Sequence, residues 1–196
     1  MQNLILGANH NNRTGTSTTL NPSDKASSVV LSNGNLTATM SSGGAVRSTR
    51  AYSSGRHMFE VTLVQYEQGL YSPLVGICTS ATALTQPWTT TGEYLLYNTG
   101  SSTTIIYGAN NRFNYGAVLS AGNVIGVTVD FTGSNPILGF YRNGAYMGST
   151  SQAGTIPVAS YYAMVSSPNG PSGTSITAVN FGNTSFQYPI TNFTVW

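Results

Sequence analysis

The side chains best suited to proton transfer, nucleophilic attack or metal binding are few: Asp24, Glu60, Glu67, Glu93, Asp130, His10, His57 and Cys78. Acid–base catalysis needs such groups to converge, and a metal needs three or four ligands. None of them falls in a motif such as His-Glu-x-x-His or Asp-x-Asp-x-Asp. Cys78 follows the apolar run Leu74-Val75-Gly76-Ile77, where a thiol reads as a small buried hydrophobe. As the single cysteine it has no partner for an intramolecular disulfide. No catalytic residue, metal ligand or cofactor is expected, and the chain reads as a non-enzyme.

Binding chemistry is better represented. Tyr66, Tyr71, Trp88, Phe113 and Tyr115 fall in stretches that read as loops, Tyr161 and Tyr162 stand at a strand start beside one, and Arg112 lies beside Phe113. Tyr and Trp join a large apolar body to a polar tip, which suits contact with proteins or with sugar rings. Trp88 with Arg112 is the leading expected contact pair. The competing reading is that several of these rings merely cap the ends of a core.

The elements that must position these residues follow from a period of two. Val124, Gly126, Thr128 and Asp130 alternate with Ile125, Val127, Val129 and Phe131, a strand pattern. Ile137 to Tyr141 restarts it, and Asn143-Gly144 between apolar segments signals a tight hairpin turn, because both residues tolerate positive φ. Further strands are expected at Ser28–Leu31, Leu36–Met40, Val46–Ala51, His57–Leu63, Leu74–Cys78, Tyr94–Tyr97, Thr103–Tyr107, Tyr161–Val165 and Ser175–Phe181. Phe59, Val61 and Leu63 share a core face. Glu60 is then expected outward or paired, with Arg50 or Arg56 as partner. Asp130 reads as a turn cap. Residues 79–92 and 108–116 read as loops.

Several segments resemble the SPRY (B30.2-type) domain family. AGNVIGVTVDF followed by GFYRNGAYMG is similar to its central strands and hairpin. NPSDKASSVVLSNGNLTAT resembles its opening hairpin, VRSTRAYSSGRHMFEV its Arg-Ser-Thr to Phe-Glu-Val segment, LVGI its Val-Gly-Ile strand and VNFG its closing strand. The likeness spans about residues 20–190. It implies an all-β fold, a two-sheet antiparallel β-sandwich of concanavalin-like jelly-roll type. It also implies binding rather than catalysis, and a structural role for Glu60. The expected organisation is an extended arm over residues 1–19, a sandwich over 20–190 and a tail over 191–196. The arm carries Leu4, Ile5 and Leu6 as candidate assembly contacts.

Charge narrows the partners. Only 6% of the 196 residues are charged, with 7 Lys and Arg against 5 Asp and Glu. Nucleic-acid binding needs clustered cations on phosphates, and no such run exists. No stretch is long and apolar enough for a membrane span, and no signal peptide is apparent at the start. The wealth of Ser, Thr, Gly and Asn resembles phage fibre, spike and decoration proteins. The expected function is therefore a bacteriophage virion surface protein on the capsid or tail, assembled in the host cytoplasm. Its arm would contact other virion proteins or its own copies, and its sandwich would attach to a host protein or glycan. The alternative is a stand-alone intracellular module that binds a peptide.

Overall fold

A computed structural model of the chain describes residues 17–65, 73–85, 92–98, 103–108, 111–149, 155–168 and 173–196. Those residues form strands, turns and loops only. In chain order the strands are β1 (Leu20–Lys25), β2 (Val29–Ser32), β3 (Thr37–Met40), β4 (Gly44–Tyr52) and β5 (Arg56–Gln65). Next come β6 (Leu74–Cys78), β7 (Glu93–Asn98), β8 (Thr103–Gly108), β9 (Asn111–Ala117) and β10 (Val124–Asp130). The last five are β11 (Ile137–Arg142), β12 (Ala145–Ser149), β13 (Tyr161–Ser167), β14 (Ser175–Asn180) and β15 (Thr194–Val195).

They make the expected two-sheet sandwich. One sheet runs β1-β4-β13-β6-β7-β8-β9, the other β12-β11-β10-β5-β14-β3-β2. All these pairings are antiparallel, so each strand presents alternate side chains to the interior. Phe59, Val61 and Leu63 of β5 join Ile125, Val127 and Val129 of β10 in the core. Val46, Val75, Ile77, Ala163 and Val165 face them from the other sheet. β6 is buried at all five positions because its outer face is covered too. Ala45, Leu74, Cys78, Leu95 and Met164 form a second apolar cluster there, packed by Leu84.

The hairpin turn takes the expected form. Asn143 has φ 49° and Gly144 φ 80°, the positive pair of a type I′ turn. The Asn143 side chain also accepts the Val124 N–H at 2.8 Å, tying the turn to the start of β10.

Four local expectations differ from the structure. Leu20–Lys25 is a strand of its own, an edge paired with β4. Residues 111–117, read as part of a loop, are β9, an edge strand formed by its pairing with β8 despite two Asn and a Gly. Glu60 pairs with neither Arg50 nor Arg56. It is 3% exposed and accepts the backbone N–H groups of Gln187 at 2.8 Å and Tyr188 at 2.6 Å. Residues 191–196 are not a tail outside the sandwich. Thr194–Val195 runs parallel to β5 at His57–Met58, beyond Glu60, where β14 stops.

This extra strand delivers Trp196 to the interior. The ring is 1% exposed and meets Tyr52 and Phe59 edge-on at 5.4 and 5.2 Å. Its Nε1 donates to Ser48 Oγ at 3.2 Å and to Arg50 O at 3.3 Å. One residue thus touches β4 of one sheet and β5 of the other. Trp196→Ala should cost about 3–5 kcal/mol, the range for truncating a large buried aromatic residue. Urea unfolding of the two proteins measures it, and a loss below about 1 kcal/mol would mean that the ring is not part of the core.

Candidate functional site

The outward face of β10, β11 and β12 carries a shallow groove. Register decides its lining: Thr128 lies opposite Gly139, Asp130 opposite Ile137, Gly126 opposite Tyr141, and Tyr141 opposite Tyr146. The inward residues between them build the core; on the outward side Ile137 and Tyr146 are left to solvent, while Thr128 is 3% exposed at the groove floor. Phe193, from the segment that crosses to β15, forms the remaining wall. The groove has a volume of about 200 Å³ and is lined by Thr128, Asp130, Ile137, Gly139, Tyr141, Tyr146 and Phe193.

Its chemistry is apolar. Ile137 is 48% and Tyr146 59% exposed. The Tyr141 and Tyr146 rings pack together at 5.1 Å, and burial followed by the neighbouring Tyr146 pushes the Tyr141 hydroxyl above its usual range. Gly139 keeps the floor open. A Cβ there would come within 2.7 Å of Thr128 Oγ1, the hydroxyl that donates to Gly139 O at 3.3 Å.

The carboxylate of the groove is already engaged. Asp130 Oδ1 accepts the Thr132 N–H at 2.9 Å and its hydroxyl at 2.6 Å, as a turn cap should. Asp130 Oδ2 accepts from Arg56 Nε at 2.8 Å. Burial opposes ionisation of Asp130, but the Thr132 bonds and the Arg56 charge outweigh it and hold the carboxyl below its usual range. Nothing in the groove pairs a nucleophile with a base. Elsewhere, burial pushes the Cys78 thiol up to about 12, so it stays protonated and inert at neutral pH. Among the described residues no cluster of His, Cys, Asp or Glu could hold a metal.

None of the expected contact residues is among the described residues that line the groove. Tyr66, Tyr71, Trp88 and the arm residues Leu4, Ile5 and Leu6 lie outside the described residues. Arg112, Phe113 and Tyr115 have their backbone in edge strand β9. Tyr161 is 1% exposed and donates to Pro157 O at 2.8 Å. It packs in the core against Tyr94 at 5.9 Å, so it offers no contact surface. Tyr162 is half-buried on the outer face of its sheet, with the Arg47 guanidinium 5.9 Å from its ring centroid. That guanidinium grips Asp24 at 2.7 Å and donates to the carbonyls of Ser80 and Thr82, anchoring the start of the β6–β7 connection. The groove residues were within reach of the sequence, since the even positions of β10 and the odd positions of β11 must face outward once the core face is fixed.

The groove and sandwich can be set beside known proteins. A family model described as the SPRY domain matches residues 56–183. No curated protein sequence matches the chain. Among solved structures the chain is similar to the SPRY domain of human HERC1, with a TM-score of 0.67 at 18% identity, over 85% of this chain and 99% of that one. It is similar to the TRIM65 PSpry domain, with a TM-score of 0.64 at 12% identity, over 83% and 91%. It is also similar to stonustoxin, with a TM-score of 0.63 at 16% identity, over 83% of this chain and 28% of that one. At these identities the likeness is one of fold.

The Asp130 cap has a pH signature. Its folded-state pKa is lowered, so its stabilisation is present above the ordinary carboxylate range and lost as pH falls through the folded value. Asp130→Asn should lower stability at pH 7 by about 0.2–1 kcal/mol, the range of an exposed ion pair. The difference from the parent should shrink below about pH 4. Thermal melts at both pH values check this; an equal difference at both would mean that the carboxylate charge is not what matters.

Proposed function

The chain belongs to the SPRY domain family, and from that premise we propose that it is a non-catalytic binding module whose groove takes an apolar stretch of a protein partner. SPRY domains are generally protein-interaction modules. The observation that carries the reading is the groove itself, two tyrosines, an isoleucine and a phenylalanine around a glycine floor. Its size supports a macromolecular partner. Sites for small molecules usually enclose about 300–1,000 Å³, and this groove is smaller and open. It has room for side chains presented by a larger body. Its chemistry favours protein over glycan. A sugar ring needs several hydrogen-bond partners, and of the groove's polar groups the Thr128 hydroxyl and the Asp130 carboxylate are engaged within the fold, which leaves the two tyrosine hydroxyls. An aliphatic side chain needs none.

A random-peptide display selection on the intact protein tests this. Selected peptides should be rich in apolar residues and lose about tenfold or more in affinity for Ile137→Ser and for Tyr146→Ala, about what one buried apolar side chain contributes. Both positions are exposed, so neither change should disturb the fold. Peptides that bind both variants unchanged would place the site elsewhere. A glycan-array signal that the same variants abolish would replace the protein ligand by a sugar.

For the setting of this module, the composition supports the exterior of a bacteriophage particle. A surface with 6% charged residues and one Lys limits repulsion between crowded copies and leaves few trypsin-type cleavage sites. The rival setting is a stand-alone intracellular module. Mass spectrometry of purified particles should find the protein in the virion; recovery from the infected-cell lysate alone would favour the rival.

A further inference from the structure

We propose that the protein partner anchors an arginine side chain in the groove on β10–β12, its guanidinium against the Tyr141 and Tyr146 rings and the Asp130 carboxylate. The inference rests on the groove being a binding site for a protein partner, and it names the residue that the groove selects. Among the described residues that line the groove, the one charged side chain is an anion, Asp130. The cations beside it in the fold are held elsewhere. Arg142 follows Tyr141, so alternation turns it to the other face, where its Nη1 donates to Val118 O at 3.0 Å. Arg56 donates its Nε to Asp130 Oδ2 and is not part of the lining. Asp130 is engaged at both oxygens yet not saturated. A carboxylate has about four lone-pair sites. Thr132 takes two on Oδ1 through its N–H and hydroxyl, and Arg56 takes one on Oδ2. One site on Oδ2 is left for a further donor.

The rest of the surface is aromatic and aliphatic. The Tyr141 and Tyr146 rings lie 5.1 Å apart at 51°, and Phe193 forms another wall. Both tyrosine rings border the open floor: a Cβ on Gly139 would lie 3.7 Å from Tyr146 and 3.8 Å from Tyr141. An aromatic face attracts a cation within about 6 Å of its centroid, and arginine fills that role more often than lysine. Arginine matches each part of this lining. It carries five N–H donors and no acceptor, so it can use the remaining Asp130 lone pair. Its guanidinium is planar and weakly hydrated, whereas the lysine ammonium is compact and holds its water strongly. Its methylene stem can cover Ile137, which is 48% exposed. A neutral aliphatic side chain would use Ile137 and leave the carboxylate site and the ring faces unused. The fold itself uses the same trio on its other sheet, where the Arg47 guanidinium grips Asp24 at 2.7 Å and stands 5.9 Å from the Tyr162 ring centroid.

The test takes peptides selected by random display on the intact protein and resynthesises them with the arginine replaced by citrulline, its uncharged isostere, or by lysine. Selected peptides should hold an arginine at a fixed position. By fluorescence anisotropy the citrulline form should bind about fivefold or more weakly, with the lysine form between the two. The preference for arginine over citrulline should survive Tyr146→Phe, which keeps the ring, and shrink at least about twofold in Tyr146→Leu and in Asp130→Asn. Four results overturn the proposal: selected peptides with no fixed arginine, a citrulline form that binds as tightly, a preference unchanged in both Tyr146→Leu and Asp130→Asn, or a lysine form that binds as well as the arginine form. Peptides that lose affinity for Ile137→Ser and Tyr146→Ala yet carry no fixed arginine leave the groove a binding site and remove only the arginine anchor. A selection that yields no binder, or peptides indifferent to both groove changes, remove the groove and the anchor together.

Discussion

A buried carboxylate holds the last part of the chain in place. Glu60 sits in the middle of β5, the strand bordered by β10 and β14. An unpaired carboxylate at 3% exposure would be costly, so its oxygens must be met. The N–H groups of Gln187 and Tyr188 meet them, and this fixes the segment over the outer face of the sheet. The consequences run in both directions from that point. Tyr188 packs under the hairpin turn, where a Cβ on Gly144 would come within 3.1 Å of its ring. Beyond it Phe193 becomes a groove wall, β15 pairs alongside β5, and Trp196 enters between the sheets.

The other sheet relies on a similar device with the opposite charge. Arg47 is 5% exposed on the outer side of β4 and gathers Asp24 of β1 with two carbonyls of the β6–β7 connection. That closes the edge of the sheet and lowers Leu84 onto the second apolar cluster. A chain with so few charges has put those it has to structural use. Of its five carboxylates, Asp24, Glu60 and Asp130 each hold a connection or turn rather than face a ligand. The scarcity of charge that argues against catalysis and nucleic-acid binding thus has a structural counterpart.

What the sequence made legible was what alternation can encode. β5, β10 and β11 read correctly because Phe59, Val61, Ile125, Val127 and Phe140 mark one face with a period of two. Asn143-Gly144 read correctly because its turn depends on local backbone preference alone. β9 was missed because NRFNYGA carries no such apolar period; it is an edge strand, ordered by its pairing with β8. Trp196 was missed because two residues of strand leave no pattern, and their pairing with β5 spans almost the whole chain. Glu60 does point to the outer face of its sheet, as alternation with Phe59 and Val61 requires, but it is covered there. Its partners are backbone amides, which no residue type announces. The groove was legible only as outward positions, not as a meeting of particular residues. Its residues are those left over once the core face is assigned, and their meeting depends on the cross-strand register.

The same construction couples the groove to stability. Phe193 reaches the groove only while Glu60 keeps the preceding segment docked and Trp196 is seated beyond it. A ligand that touches Phe193 therefore binds the fully closed sandwich and not a state in which this segment has peeled away. By mass action it stabilises that closure. The opposite wall, Tyr141 and Tyr146, belongs to a hairpin whose turn rests on Tyr188 of the same segment. Both walls thus depend on one crossing segment, although the strands beneath them are set by the sheet.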